Sequence, residues 1–206
     1  HAKVSAGALV ARAVVRLVRA GAITEEDLYD QTDASVLVVL DAAAGRVGGD
    51  VREEVRALTD RLRNRRLFRR AGVFPRSGSE AVQEGLVNRF FAAGGAAART
   101  DVEERITDLL RFATGKETKV IVYCPAKAMQ LKEARIHVRW PGEDGIRPLS
   151  TYSPRVPRLG DLEESYRNLW KFYVFADTHD PARLAKIAEI AQAEFAEATN
   201  AYDAAG

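Results

Sequence analysis

The sequence has one cysteine, Cys124, and one methionine among 206 residues. A lone thiol excludes an intrachain disulfide framework and fits a reducing cytoplasm, which is the expected location. No uninterrupted apolar run reaches the roughly 18 residues that a membrane span needs, so no membrane partner is expected. The first twenty residues are apolar but carry Arg12, Arg16 and Arg19 and lack a small-residue cleavage site. They do not read as a signal peptide. An excess of one charge is also missing. Thirty-one basic residues against 29 acidic ones leave a net charge of +2. Electrostatics alone therefore give no ground for a nucleic-acid partner. There is no GxxxxGK[ST] phosphate loop and no GxGxxG after a strand. Gly45, Gly48 and Gly49 lie between helical segments and read as a loop.

What is present is a chain able to fold. Hydrophobic residues make up 47% and charged residues 29%, enough for a core and a polar surface. The cations are mostly arginine. A GC-rich gene would produce that, and arginine forks also suit carboxylate and phosphate pairing. Local anion sites therefore stay open.

The first half is helical in pattern. Residues 4–20 place Arg12, Arg16 and Arg19 on one stripe, with Val4, Leu9, Val10, Val14, Val15, Leu17 and Val18 around the rest. A helix so widely apolar is expected to be covered on most sides. Thr24 is expected to cap a second helix running to about Ala43. A third carries Val51, Val55, Leu58 and Leu62 and is expected to run through Arg61–Arg70 until Gly72 and Pro75 stop it. A fourth spans about 79–92. Thr100 and Glu103 form a capping-box pattern for a fifth, closed by Gly115.

After Gly115 the apolar period changes to two. Residues 118–124 and 134–140 read as strands, the second presenting Arg135, His137 and Arg139 on a wet face. Trp170–Ala176 reads as a third strand, apolar on both faces apart from Lys171. Asp180 and Pro181 open a last helix, whose end is expected to fray after Asn200. The expected fold is α+β and predominantly helical. A helical N-terminal layer is followed by a small three-stranded antiparallel sheet packed with helices. The expected division is 1–95, helical, and 96–206, an α-β-β-α-β-α unit.

Three segments carry a resemblance. They are Leu58-Thr-Asp60 with Arg65-Arg-Leu-Phe-Arg-Arg-Ala-Gly72, then Lys119–Cys124 with Lys127, Lys132 and Arg135, and then Leu169–Ala176 with the following helix. In this order they resemble the C-terminal region of HD-domain phosphohydrolases of the dNTP triphosphohydrolase type. The opening helix looks like the long one that follows the catalytic core in that family. The resemblance implies the structural and regulatory end of a metal-dependent nucleotide phosphohydrolase. The catalytic residues and the divalent metal would belong to an HD core that is not in this chain. No cofactor is expected here. The implied partners are that HD region, a second copy of the chain and a nucleotide effector. The matching positions for effector phosphates are Arg65, Arg69, Lys127, Lys132 and Arg135. Without an effector, Arg65 and Arg69 would be a solvated helix end, and Lys127 and Lys132 an exposed hairpin loop.

Other chemistry is sparse. His179-Asp180 mimics an HD dipeptide, but only His1 and His137 lie upstream, and Asp180 is the natural cap of the Pro181 helix. Cys124 would need a histidine base to act as a nucleophile. Two other functions remain: a stand-alone module for a nucleotide or phosphate ligand, and a single-stranded nucleic-acid binder. Tyr123, Trp140, Phe172, Tyr173 and Phe175 would be the stacking platforms of the second.

Overall fold

The computed structural model describes residues 2–78, 81–92, 94–125 and 136–202. The fold is α+β and predominantly helical, as expected. Its centre is an antiparallel sheet in the order β1 (Arg69–Pro75), β5 (Lys171–Ala176), β2 (Val120–Tyr123). Alternation along β5 explains why it is apolar on both faces. Phe172, Val174 and Ala176 enter one core with Val120 and Val122. Phe175 and Tyr173 enter another with Ile121 and Tyr123. Helices cover both faces. The first core is closed by α5 (Ala96–Thr114) and α7 (Pro181–Glu194). The second is closed by α1 (Ala2–Arg19), α2 (Asp33–Arg46) and α3 (Gly49–Arg63). Phe172 and Phe175 are fully buried and Tyr123 and Tyr173 half-buried, so these rings serve the cores.

Several expectations need correction. The sheet takes its third strand from Arg69–Pro75, which the pattern assigned to a helix end. Strand β3 (His137–Val138), from the 134–140 stretch, instead pairs with β4 (Arg147–Pro148) in a separate two-stranded ribbon. Sheet order thus joins strands from both sides of residue 95. The second helix begins not at Thr24 but at Thr32, whose side chain accepts from Ser35 N while the Ser35 hydroxyl accepts from Thr32 N. The fourth helical segment is one α-turn, α4 (Gln83–Leu86), continued by a π-turn over Val87–Phe91. The fifth helix starts at Ala96, so Thr100 lies inside it and donates to Ala96 O at 2.9 Å. Helix α6 (Pro157–Asn168) precedes β5.

The first helix hides most of its apolar surface within this chain. Ala8, Leu9, Ala13 and Leu17 are buried, and Val18 is left 47% exposed. The chain beyond α7 is held rather than frayed at Asn200. Asn200 Oδ1 accepts from Val73 N at 2.9 Å, and Ala201 N donates to Val73 O at 2.8 Å. Arg70 lies 4.0 Å over the Tyr202 ring, a favourable cation–π distance. Among the described residues no helix is long and apolar enough to cross a membrane.

Candidate functional site

Chain direction brings several polar side chains to one end of the sheet, where β5 leaves and β1 and β2 enter. Arg69 and Val120 both pair with Ala176 there. Arg69 is exposed and its Nε donates to His179 Nδ1 at 3.1 Å. Arg61, near the end of α3, reaches Asp177 at 2.5 Å and lies over the Phe68 ring. Asp177 N donates to Lys119 O at 2.9 Å.

The expected phosphate residues divide accordingly. Arg65 is not on a helix, because α3 ends at Arg63. It sits in the connection to β1 with φ of 53°. Arg69 begins a strand and not a helix end. Arg69 lies at the sheet end described above, and Arg65 lies in the chain that leads to it. Lys127, Lys132 and Arg135 lie outside the described residues.

The neighbouring junction of α1, α3, α5 and β2 was not singled out in the sequence. Arg12 on α1 extends between two carboxylates: Nε donates to Glu54 at 2.9 Å and Nη1 to Glu103 at 2.6 Å. Glu103 uses its other oxygen to accept from Val122 N at 2.8 Å. Arg16, one turn further along α1, meets Glu54 at 2.7 Å and Asp50 at 3.3 Å. The guanidinium fork thereby joins three helices and a strand.

Burial sets the electrostatics. Glu103 is 3% exposed, and desolvation holds its pKa above the ordinary glutamate value despite Arg12, the Val122 N–H and Arg99. For Arg12 burial acts against the charge, but Glu103 and Glu54 outweigh it and raise the pKa. A sequence signal existed. Val102, Glu103, Ile106 and Leu110 share the buried face of α5, and a carboxylate at that spacing needs a buried partner. Arg12 in an apolar helix made the matching demand.

Two cavities meet at this pair. A groove of about 720 Å³ opens toward the sheet end, bordered by Arg61, Lys119 and Asp177 on one side and Glu54 and Glu104 on the other. A smaller cavity of about 150 Å³ lies behind it, bordered by Arg99, Tyr123 and Cys124. Arg12, Glu103 and Ile121 line both, so the ion pair is part of their common wall. The groove falls within the roughly 300–1,000 Å³ typical of small-molecule sites. Its polar groups can bind and orient a ligand.

Asp180 caps α7, accepting from Ala182 N at 3.0 Å, with Pro181 in the first turn. Its pKa is lowered first by the Arg183 hydrogen bond. Among the described residues no three His, Cys, Asp or Glu side chains stand together as a metal-ligand group.

The model of one protein family, described as the HD associated region, matches residues 1–196. No curated protein and no solved structure gives a significant match. With nearly the whole length matched, and with a helical scaffold clamped onto a small sheet, the chain belongs to the HD associated region family.

Proposed function

We propose that this chain is the C-terminal structural and regulatory portion of an HD-superfamily, metal-dependent phosphohydrolase acting on nucleotides. The divalent metal and the catalytic residues belong to the HD region, which is its partner. The observation that carries the reading is the Arg12 clamp in a chain of this family. Arg12 ties α1 to α3 and α5, and Glu103 carries the tie on to β2, which suits a mount for a neighbouring catalytic region. The test is hydrolysis of dNTPs with Mg²⁺, Mn²⁺ or Co²⁺. The 206-residue chain should be inactive, and a longer protein carrying an H…HD…D pattern before residue 1 should be active. Robust turnover by the chain alone overturns the reading.

A second reading, a nucleotide effector site, is favoured by the Arg61, Arg69 and His179 cluster at the sheet end. Calorimetry with GTP, dGTP and ATP tests it. Affinity that is lost in Arg65→Ala or Lys127→Ala supports the site, and flat traces oppose it. A second copy of the chain would complete such an assembly, and sedimentation with and without nucleotide reads that directly.

A further inference from the structure

Arg99 differs from the other arginines of the α1–α5 junction. Arg12 and Arg16 share Glu54, Glu103 and Asp50. Arg99, half-buried on the first turns of α5, has no carboxylate of a described residue within ion-pair distance. Among the described residues its one hydrogen bond runs from Nη1 to the Phe90 carbonyl at 3.0 Å. Arg99, with five N–H donors in its fork, is one of the residues that border the 150 Å³ cavity.

Charge in that cavity is unbalanced. Among the described residues Arg12 and Arg99 line it against one carboxylate, Glu103. Both Glu103 oxygens are already engaged, one by Arg12 and one by Val122 N. Burial lowers the Arg99 pKa, Glu103 acts to restore it, and Arg12 and Arg19 depress it further. A part-buried guanidinium beside other guanidinium groups, with no ion-paired carboxylate among the described residues, is a place for an anion. The remaining wall is apolar, from Ala8, Val15 and Phe91, with the Tyr123 phenol among the lining groups.

We infer that this cavity is a binding site for one tetrahedral oxyanion, held by the Arg99 fork with Arg12 behind it. Arginine matches phosphate in geometry as well as charge. At about 150 Å³ the cavity is too small for a nucleoside. It accepts inorganic phosphate, or the terminal phosphoryl group of a ligand whose remainder stays outside. The site is separate from the Arg61, Arg69 and His179 cluster and does not depend on the chain serving an HD enzyme, so either proposal can fail alone.

Titration of inorganic phosphate into the 206-residue chain, at ionic strength held constant with chloride, tests the site by calorimetry and by the thermal midpoint. The wild type should bind saturably and melt at a higher temperature with phosphate. Arg99→Gln should weaken binding about tenfold or more. Arg99→Lys, which keeps the charge but loses the fork, should fall between the two and serves if the Gln variant does not fold. Arg111→Gln, at an exposed arginine of the same helix that pairs with Asp108, should bind like the wild type. A parallel titration with a nucleoside monophosphate separates the sources: binding of that ligand alone, lost in Arg99→Gln, identifies a phosphoryl end group. No saturation with either ligand, or equal binding by wild type and both Arg99 variants, overturns the site.

Discussion

Arg12 Nη1 donates to Glu103 Oε2 at 2.6 Å across 91 residues of chain. The carboxylate is 3% exposed and its other oxygen accepts a strand N–H. Removing the cation leaves a buried charge with half its partners. Arg12→Met should destabilise the fold by about 3–5 kcal/mol. Combining it with Glu103→Gln, which keeps an acceptor for Val122 N, should cost less than the two single losses summed. Urea unfolding of the four proteins measures the coupling. Additive losses would show that the pair is not coupled.

The same carboxylate gives a pH dependence of unusual sign. Its native pKa lies above the ordinary value because burial outweighs Arg12, Val122 N and Arg99. Below the ordinary glutamate pKa both folded and unfolded chains hold the proton. As pH rises from there through the raised native pKa, the unfolded chain loses its proton first, and stability falls. Asp180, whose pKa is depressed through Arg183, contributes oppositely, losing stability as pH falls. Stability curves of wild type and Glu103→Gln should therefore diverge as pH climbs through that interval. Parallel curves would contradict the raised pKa.

Asn200 holds Val73 N at 2.9 Å and is itself held, its N–H donating to Gln192 Oε1 at 2.7 Å. Asn200→Ala should cost about 1–3 kcal/mol, since the Val73 donor loses its acceptor. Hydrogen exchange at Val73 should accelerate more than at Val174 in the central strand. Unchanged exchange at Val73 would show that the bond carries no weight.

Two glycines are needed for different reasons, and substitution should tell them apart. Gly115 closes α5 with φ of 68° and has open space around it. Gly95 has an ordinary φ of −73°. A Cβ there would sit 2.8 Å from both Arg89 O and Phe90 C. Gly115→Ala should cost about 1–2 kcal/mol, with Gly115→Asn milder because Asn tolerates the left-handed region. At Gly95, Asn should be no better than Ala, because space and not φ is the obstacle. Thermal midpoints of the four variants decide it.

What the sequence disclosed followed from local chemistry. Helix α1, the Gly115 stop, strands β2 and β5 and the Asp180–Pro181 start all follow from spacing, left-handed φ or capping. Strand β1 was hidden because Arg61–Arg70 is rich in helix formers. The break depends on Arg65 taking φ of 53°, which no local pattern marks. A register shift between Arg70 and Gly72 further blurs the strand's alternation. Thr100 and Glu103 matched a capping box, but α5 had already begun at Ala96. Glu103 was thereby freed for a tertiary role that only its place on the apolar face hinted at. Arg69 and His179 were each noted in the sequence, but their pairing was not, because it is antiparallel pairing of β1 with β5 that brings them together.

Glu103 and Asn200 have a common effect on assembly. The sheet has two outer strands, and each has a backbone amide turned away from β5: Val122 on β2 and Val73 on β1. A side chain from outside the sheet occupies each amide, and Ala201 also covers the Val73 carbonyl. At these positions both borders are already hydrogen-bonded, which hinders the addition of a stray strand from another molecule. A chain cut before Asn200 would uncover the Val73 amide and carbonyl on the β1 border.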